Sequence, residues 1–189
     1  VLEESGGTVT APNNLNVTGT ISGTVGSSST IQSGTTFPAG MMLQIVDNPI
    51  TSVITRSTAS TFGAFSTPFN VTISNCSSTS KILISCYVTH SCDADNITMF
   101  ALYDNTNSQY VSGNNSDGHF ANSVDGTGRV RSSSFQVLYD PPSFSSGSLQ
   151  IELYMKGSGG SCTNNLNSRS QQDGYGRGTS NIILQEIAG

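Results

Sequence analysis

The sequence predicts an all-β protein in which an extended N-terminal β segment precedes a β-sandwich or jelly-roll head. Composition is the first reason, since Ser, Thr, Asn and Gly make up 89 of the 189 residues and charged residues only 10%. The second is that the apolar residues, 34% of the chain, fall in short runs that alternate with polar residues, which is typical of strands with one buried face. The third is the regular occurrence of Gly, Asn, Ser and Pro between these runs, where turns are expected.

Residues 1–36 form a segment with its own pattern. From Val9 onward its apolar residues occupy odd positions, so that one face of an extended strand is apolar. A lone strand cannot bury such a row, which leaves two arrangements: an ordinary edge strand of the head, or a stalk in which three chains align around one axis. We favour the stalk of a homotrimer. Its buried side chains would be Leu15, Val17, Ile21 and Val25.

Residues 37–189 are predicted to form the sandwich head from about seven to nine short strands. The first apolar run, 42–46, is expected to stop at Asp47, Asn48 and Pro49. The remaining runs lie at 69–73, 82–88, 99–103, 135–139, 149–155 and 182–187.

Two long polar stretches, 104–134 and 157–181, are predicted to be mainly loops. Loops of this length are commonly functional, and their isolated aromatic and basic side chains could contact a receptor. The same side chains could instead anchor the loops or pack against a neighbouring subunit. The candidate receptor-contacting residues are Tyr110, His119, Arg169, Tyr175 and Arg177.

The cysteines allow three disulfide connectivities, and the sequence does not choose among them. Cys86 shares the apolar face of its strand, so we expect it to be a small buried hydrophobic residue. His90, Cys92 and Asp93 follow it closely, but the spacing lacks the paired C-x-x-C of structural zinc sites, and we expect no metal there. The four cysteines are Cys76, Cys86, Cys92 and Cys162.

No motif points to catalysis or to a cofactor. The two histidines, His90 and His119, accompany no nucleophile elbow, and no carboxylate pair or phosphate-binding loop has a recognisable signature. We therefore expect a non-enzymatic protein. A pI near 4.7 and seven Lys plus Arg argue against nucleic-acid binding, and the absence of a run of about 18 apolar residues argues against membrane insertion.

Five segments in order along the chain carry a family resemblance: "LNVTGTISGTV", "GTTFPAGMMLQIV", "SSTSKILI", "MFALYDN" and the closing "SNIILQEIAG". With these segments the chain resembles small fibre-like structural proteins of tailed bacteriophages, in particular those of cyanobacterial viruses, over about residues 8 to 189. The four cysteines and "CYVTHSCDAD" are not part of the family's pattern.

The resemblance implies a homotrimeric virion component, assembled in the host cytoplasm and held to other virion proteins by its N-terminal segment. Its implied role is a fibre or spike head that recognises a glycan on the host cell surface. The alternative within the family is a decoration protein that stabilises or projects from the capsid. A third reading, from a different class, is a secreted β-sandwich lectin, in which the Asn-x-Ser/Thr triplets and the cysteines would be glycosylated and oxidised.

Overall fold

A computed structural model describes residues 37–57, 60–92, 96–111, 120–124, 129–157, 163–169 and 177–189, with the backbone alone at 96 and 120–124. The predicted stalk residues Leu15, Val17, Ile21 and Val25 lie outside the described part of the chain. All regular structure in the described ranges is β, so no helix there is long and apolar enough to cross a bilayer.

Twelve strands make up the described head. They are β1 (Met42–Ile50), β2 (Ile54–Ser57), β3 (Gly63–Ala64), β4 (Asn70–Ile73), β5 (Lys81–Cys92), β6 (Asn96–Asp104), β7 (Gln109–Tyr110), β8 (Phe120–Val124), β9 (Arg131–Tyr139), β10 (Leu149–Gly157), β11 (Thr163–Leu166) and β12 (Ser180–Ile187). Short strands β7, β8 and β11 lie inside the two stretches that were predicted to be mainly loops.

The first sheet is organised around β5, the longest strand. One edge of β5 pairs with β9, and the other pairs first with β12 and then, over His90–Cys92, with β11. Beyond them, β1 pairs with β12 and β2 pairs with β11. All these pairs are antiparallel, and β12 and β11 share a single row of the sheet, as do β1 and β2.

The second sheet has the same arrangement around β10 and β6. These two strands pair from Ile151↔Asp104 to Gly157↔Thr98. The free edge of β10 is shared by β4 and β3, and the free edge of β6 by β8 and β7. The sandwich therefore consists of two sheets of four rows each, which accounts for twelve strands where seven to nine were predicted.

One hydrophobic core lies between the sheets, and the predicted β-sandwich is confirmed. Alternate residues of the central strands point into it, as period-two patterning requires. Its fully buried members include Phe69, Ile73, Ile82, Ile84, Phe100, Leu102, Leu149, Ile151, Leu153, Met155 and Ile182.

The prediction that the first strand stops at Asp47, Asn48 and Pro49 is wrong, because β1 continues to Ile50. Proline removes a backbone donor, which a central strand cannot tolerate. Among the described residues β1 pairs with β12 on one side only, and Pro49 is aligned with Asn181 there. An edge strand has room for such a residue.

Two buried carboxylates hold polar loops against the core. Glu186 accepts hydrogen bonds from the Ser77 backbone N (2.9 Å), Ser80 Oγ (2.6 Å) and Gln44 Nε2 (2.7 Å). Asp104 does the same for the turn after β6, accepting from the Asn107 backbone N and side chain and from Tyr139 Oη at 2.7 Å. Since a buried charge is costly unless it is hydrogen-bonded, these networks fix the loops in place.

Cys86 is buried and free, as predicted, and Cys76 is also a buried free thiol. Burial raises the pKa of Cys86 well above its ordinary range, while burial together with the nearby Glu186 carboxylate raises the pKa of Cys76 to about 12. Cys92 is disulfide-bonded, and its partner lies outside the described residues.

His90 is fully buried near the end of β5. Its Nε2 lies 3.2 Å from Ser133 Oγ, and its ring meets Phe100 of the second sheet edge-on at 4.9 Å. Burial, with a smaller contribution from the charge of Arg131, lowers the pKa of His90 to about 4 from the ordinary 6.5. The residue therefore packs as a neutral aromatic.

The buried histidine should make the head acid-sensitive. Between the folded pKa of about 4 and the unfolded value of 6.5 the unfolded chain binds the extra proton, so stability falls as the pH falls through that window. We expect wild type to lose about 2 kcal/mol of unfolding free energy between pH 7.5 and 5, measured by urea denaturation. The His90→Gln variant should lack this contribution, so its unfolding free energy should fall by about 2 kcal/mol less over the same pH range. Equal pH dependence in the two proteins would contradict the assignment.

The two free thiols should not react with thiol reagents in the folded protein. We expect no reaction of native protein with a thiol-specific reagent at pH 8, because Cys76 and Cys86 are both buried and their raised pKa values leave little thiolate. Denaturant without reductant should expose two thiols per chain, counted spectrophotometrically. Four would mean that Cys92 is reduced, and fast labelling of the native protein would mean that the buried thiols are accessible.

Candidate functional site

The outer face of the second sheet, here called the second-sheet face, carries the largest concentration of aromatic and amide side chains in the described structure. Core residues Leu102 and Leu153 point inward, so Tyr103 on β6 and both Glu152 and Tyr154 on β10 point outward. Register places Glu152 opposite Tyr103, and Tyr103 opposite Tyr110 on β7. Two strands far apart in sequence thus bring these side chains together.

Four rings form an aromatic cluster on this face. Tyr103 and Tyr154 stack with ring centroids 4.5 Å apart and an interplanar angle of 6°, and Tyr110 meets Tyr103 edge-on at 5.1 Å and Tyr154 at 6.2 Å. Phe62, just before β3, contacts Tyr110 at 5.9 Å. Ring pairs in such geometries add about 0.5–1.5 kcal/mol each beyond area burial, so the cluster is a rigid platform.

Two cations border the aromatic cluster. Lys156 Nζ lies 4.6 Å from the centroid of Phe62, a cation–π distance. Arg56 reaches over from β2 of the first sheet and donates to the backbone oxygens of Ala64 (3.2 Å) and Thr61 (3.3 Å). Its guanidinium occupies the space over Gly63, where a Cβ would approach Nη1 to 2.5 Å. Glycine at that position is what allows Arg56 to lie against the strand.

Tyr110 and Tyr154 of the cluster remain neutral hydrogen-bonding groups at ordinary pH. Burial raises the pKa of Tyr110 and of Tyr154 above the usual 10, and the neighbouring tyrosines raise it further, while Arg56 opposes the shift. Their hydroxyls can therefore donate and accept hydrogen bonds from a ligand.

A polar groove of about 320 Å³ adjoins the cluster on the same side of the molecule. Its side chains are preorganised: Asn105 Nδ2 donates to Gln150 Oε1 at 3.0 Å, and Gln150 Nε2 donates to Thr72 Oγ1 at 3.1 Å. All the lining residues are uncharged. They are Thr72, Asn105, Thr106, Ser145, Ser148 and Gln150.

Glu152 lies between the groove and the aromatic cluster and is only 5% exposed. Its Oε2 accepts a hydrogen bond from Asn105 Nδ2 at 2.8 Å. Its Oε1 is buried and has no hydrogen-bond partner among the described residues. Buried polar atoms are normally paired, so this oxygen is an acceptor in need of a donor.

The arrangement suits a ligand with an apolar face and many hydroxyl groups. Aromatic rings stack on the C–H face of such a ligand, and amides, hydroxyls and one carboxylate oxygen pair with its polar groups. Among the described residues Glu152 is the only carboxylate on the second-sheet face. No group of three His, Cys, Asp or Glu in the described ranges could hold a metal ion.

The described members of the predicted receptor-contacting set lie on both sheets. Tyr110 belongs to the aromatic cluster, but Arg169 follows β11 and the exposed Arg177 precedes β12, both in the first sheet. The loops that carry these arginines are joined where the Gly178 backbone N donates to Asn167 O at 3.2 Å. His119 and Tyr175 lie outside the described residues.

Sequence reasoning missed Tyr103, Tyr154, Glu152 and Arg56. A signal for the first three was available, because in their strands they alternate with core residues and so must point outward. No pattern in the sequence indicated Arg56, since its contact with the second sheet depends on how the two sheets pack together.

Comparison with known proteins finds similarity at the level of structure. No protein-family model matches the chain, and no curated protein matches it. Thirteen solved chains do match. A chain from the structure of infectious bursal disease virus Gx strain has 13% sequence identity and a TM-score of 0.34, with 77% of this chain and 37% of that chain covered. This chain thus spans little more than a third of the viral one, and a likeness of this size assigns neither family nor function.

The two buried glutamates should respond in opposite ways to neutralisation. Glu186→Gln replaces a carboxylate that accepts three hydrogen bonds, and we expect it to lower the unfolding free energy by about 2 kcal/mol. Glu152→Gln removes a half-satisfied buried charge, so stability should rise by up to about 1 kcal/mol. Urea denaturation at pH 7 measures both. Similar losses in the two variants would show that Glu152 is a structural residue like Glu186.

Proposed function

We propose that the chain is the non-enzymatic recognition head of a virion fibre or spike, and that its second-sheet face binds a glycan on the host cell surface. The observation that carries the proposal is the position of Glu152. Glu152, whose Oε1 is buried without a partner among the described residues, stands on β10 between Gln150 of the groove and Tyr154 of the stacked pair.

Electrostatics supports a neutral glycan over a polyanion. The chain has a net charge of −5, and the cations nearest the face are engaged, Arg56 with backbone oxygens and Lys156 with the Phe62 ring. The polar groove itself contains no charged side chain. A sugar with free hydroxyls can donate to Glu152 while its C–H face lies on the tyrosines.

The sequence resemblance to phage fibre-like proteins supports the virion setting and the trimer. Three heads on one stalk would present three copies of a weak site to a repetitive surface. Linked sites raise apparent affinity through effective concentration, without a tighter individual site. In this proposal residues 1–36 align the copies and hold them to other virion proteins.

A secreted β-sandwich lectin is the second candidate, and the disulfide at Cys92 is the observation that favours it. Disulfides persist in oxidising compartments and are rare in a reducing cytoplasm. The glycan site would be the same in this case. The intact mass of protein from its native source separates the two settings, because glycans on the Asn-x-Ser/Thr triplets would add mass only in a secretory pathway.

Loss of the tyrosine stack should weaken glycan binding. We expect Tyr103→Ala and Tyr154→Ala each to raise the dissociation constant for a neutral oligosaccharide by about two- to tenfold, since a stacking contact is worth about 0.5–1.5 kcal/mol. Tyr87→Ala, on the first sheet, is the matched control and should change it less than about twofold. An array of neutral oligosaccharides identifies the probe, and titration calorimetry measures the affinity.

Absence of binding across the array would contradict the proposal, and so would equal affinity in the three tyrosine variants. Saturable binding of the protein to virus particles without any glycan binding would instead support the capsid-decoration role.

A further inference from the structure

The outer face of the first sheet, here called the first-sheet face, carries apolar side chains on each of its four strands. Register aligns Leu138, Leu83, Gln185 and Ile45 in one row across β9, β5, β12 and β1. Adjacent rows add Tyr87, Ile183, Ile187 and Met42. These apolar side chains alternate on the outer face with polar ones such as Ser85, Gln136 and Gln185, so the face is a mixed surface with apolar positions on all four strands.

Several of these side chains are strongly exposed. Leu138 is 59% exposed, Ile45 56%, Met42 51% and Tyr87 46%. Single exposed apolar residues are unremarkable, but a contiguous set of this kind on a folded domain marks an interaction surface.

Charge is almost absent from the first-sheet face. Among the described residues its charged side chains are Lys81 and Asp140, paired with each other at 3.6 Å on one margin, and Asp47, which accepts a hydrogen bond from Asn181 Nδ2 at 3.2 Å. A charged partner finds no opposite charge here. For a chain of net charge −5, this is a face that a second copy can approach without like-charge repulsion.

The first-sheet face also has a recess that a neighbour could fill. A groove of about 320 Å³ is lined by Ser85, Tyr87, Ser134, Gln136 and Ile183 among others. Asn181, on its wall, has a buried Oδ1 without a hydrogen-bond partner in the described part of the chain. The groove thus offers both a hole for an apolar side chain and an acceptor for a donor.

We infer that the head associates with further copies of itself through the first-sheet face. Four strands about 4.8 Å apart and about seven residues of roughly 3.3 Å give a footprint of roughly 20 Å by 23 Å. That is roughly 450 Å² in projection, below the about 800 Å² per partner of a standard interface, so the association should be weak and dependent on concentration. A glycan would leave the exposed leucine and isoleucine in water, so a second copy is the better occupant.

The test uses the full chain at two concentrations, with mass from light scattering and side-chain accessibility from hydroxyl-radical footprinting. At the higher concentration the mass should be a multiple of 19.7 kDa, and Met42, Ile45 and Leu138 should be modified at least fivefold more slowly than in the dilute sample. Ile97, which is 42% exposed on the second sheet, serves as the internal control and should not change.

Leu138→Glu should restore fast modification of Met42 and Ile45 and increase the concentration needed for association at least thirtyfold. Ile97→Glu, an equal change of charge on the other sheet, should behave as wild type. If circular dichroism shows that Leu138→Glu does not fold, Ile45→Glu, on the opposite edge of the first-sheet face, provides a second test of the same surface.

A monomeric wild type at the highest soluble concentration would overturn the inference. An oligomer in which Met42, Ile45 and Leu138 remain as reactive as in the dilute sample would also overturn it, because the copies would then be held by another surface. Neither outcome affects the proposed glycan site, which lies on the other sheet.

Discussion

The head depends on β5, a strand that makes three antiparallel pairings because β12 and β11 share one of its edges. Where β11 gives way to β12 the row has a break, and Asn167 closes it. This buried residue has a positive φ of 62°, donates from its backbone to Thr89 O, and donates from Nδ2 to Ile50 O and Ser52 O. Its Oδ1 accepts from Ser180 Oγ at 2.7 Å. One asparagine therefore joins β5 to the ends of both split rows.

Only one side of each sheet faces the core, so the side chains on the two outer sides can differ in their chemistry. The second-sheet face combines stacked tyrosines, amides and a carboxylate, whereas the first-sheet face exposes large apolar side chains and carries little charge. Period-two alternation makes this separation possible, since a change at Tyr154 leaves its inward neighbours Leu153 and Met155 in place. Ligand recognition and self-association can thus be assigned to opposite sides of one sandwich without competing for the same residues.

Alternation alone predicted the sandwich and the inward faces of β5 and β10, because long central strands carry a clear period. It failed at Pro49, since the sequence does not show that β1 is an edge strand. It also failed for β2 and β11, which are too short for a period and whose pairing depends on Asn167. Tyr103 and Glu152 could be assigned to outward positions from sequence. Their proximity could not, because it depends on the register between β6 and β10, separated by about fifty residues of chain.

Glu152 and Glu186 show how the same side chain can be distinguished by its surroundings. Both side chains are buried: Glu152 is 5% exposed and Glu186 is 2% exposed. Glu186 has both oxygens paired, Oε1 with Ser77 N and Ser80 Oγ of the loop that it holds and Oε2 with Gln44 Nε2 of β1, which is what a carboxylate selected for stability requires. Glu152 has one oxygen paired with Asn105 and the other left without a donor, beside rings that are themselves rigid. Glu152 lacks one hydrogen bond in the free protein and gains it when a ligand supplies the donor. This difference from Glu186 is the physical argument for binding at the second-sheet face.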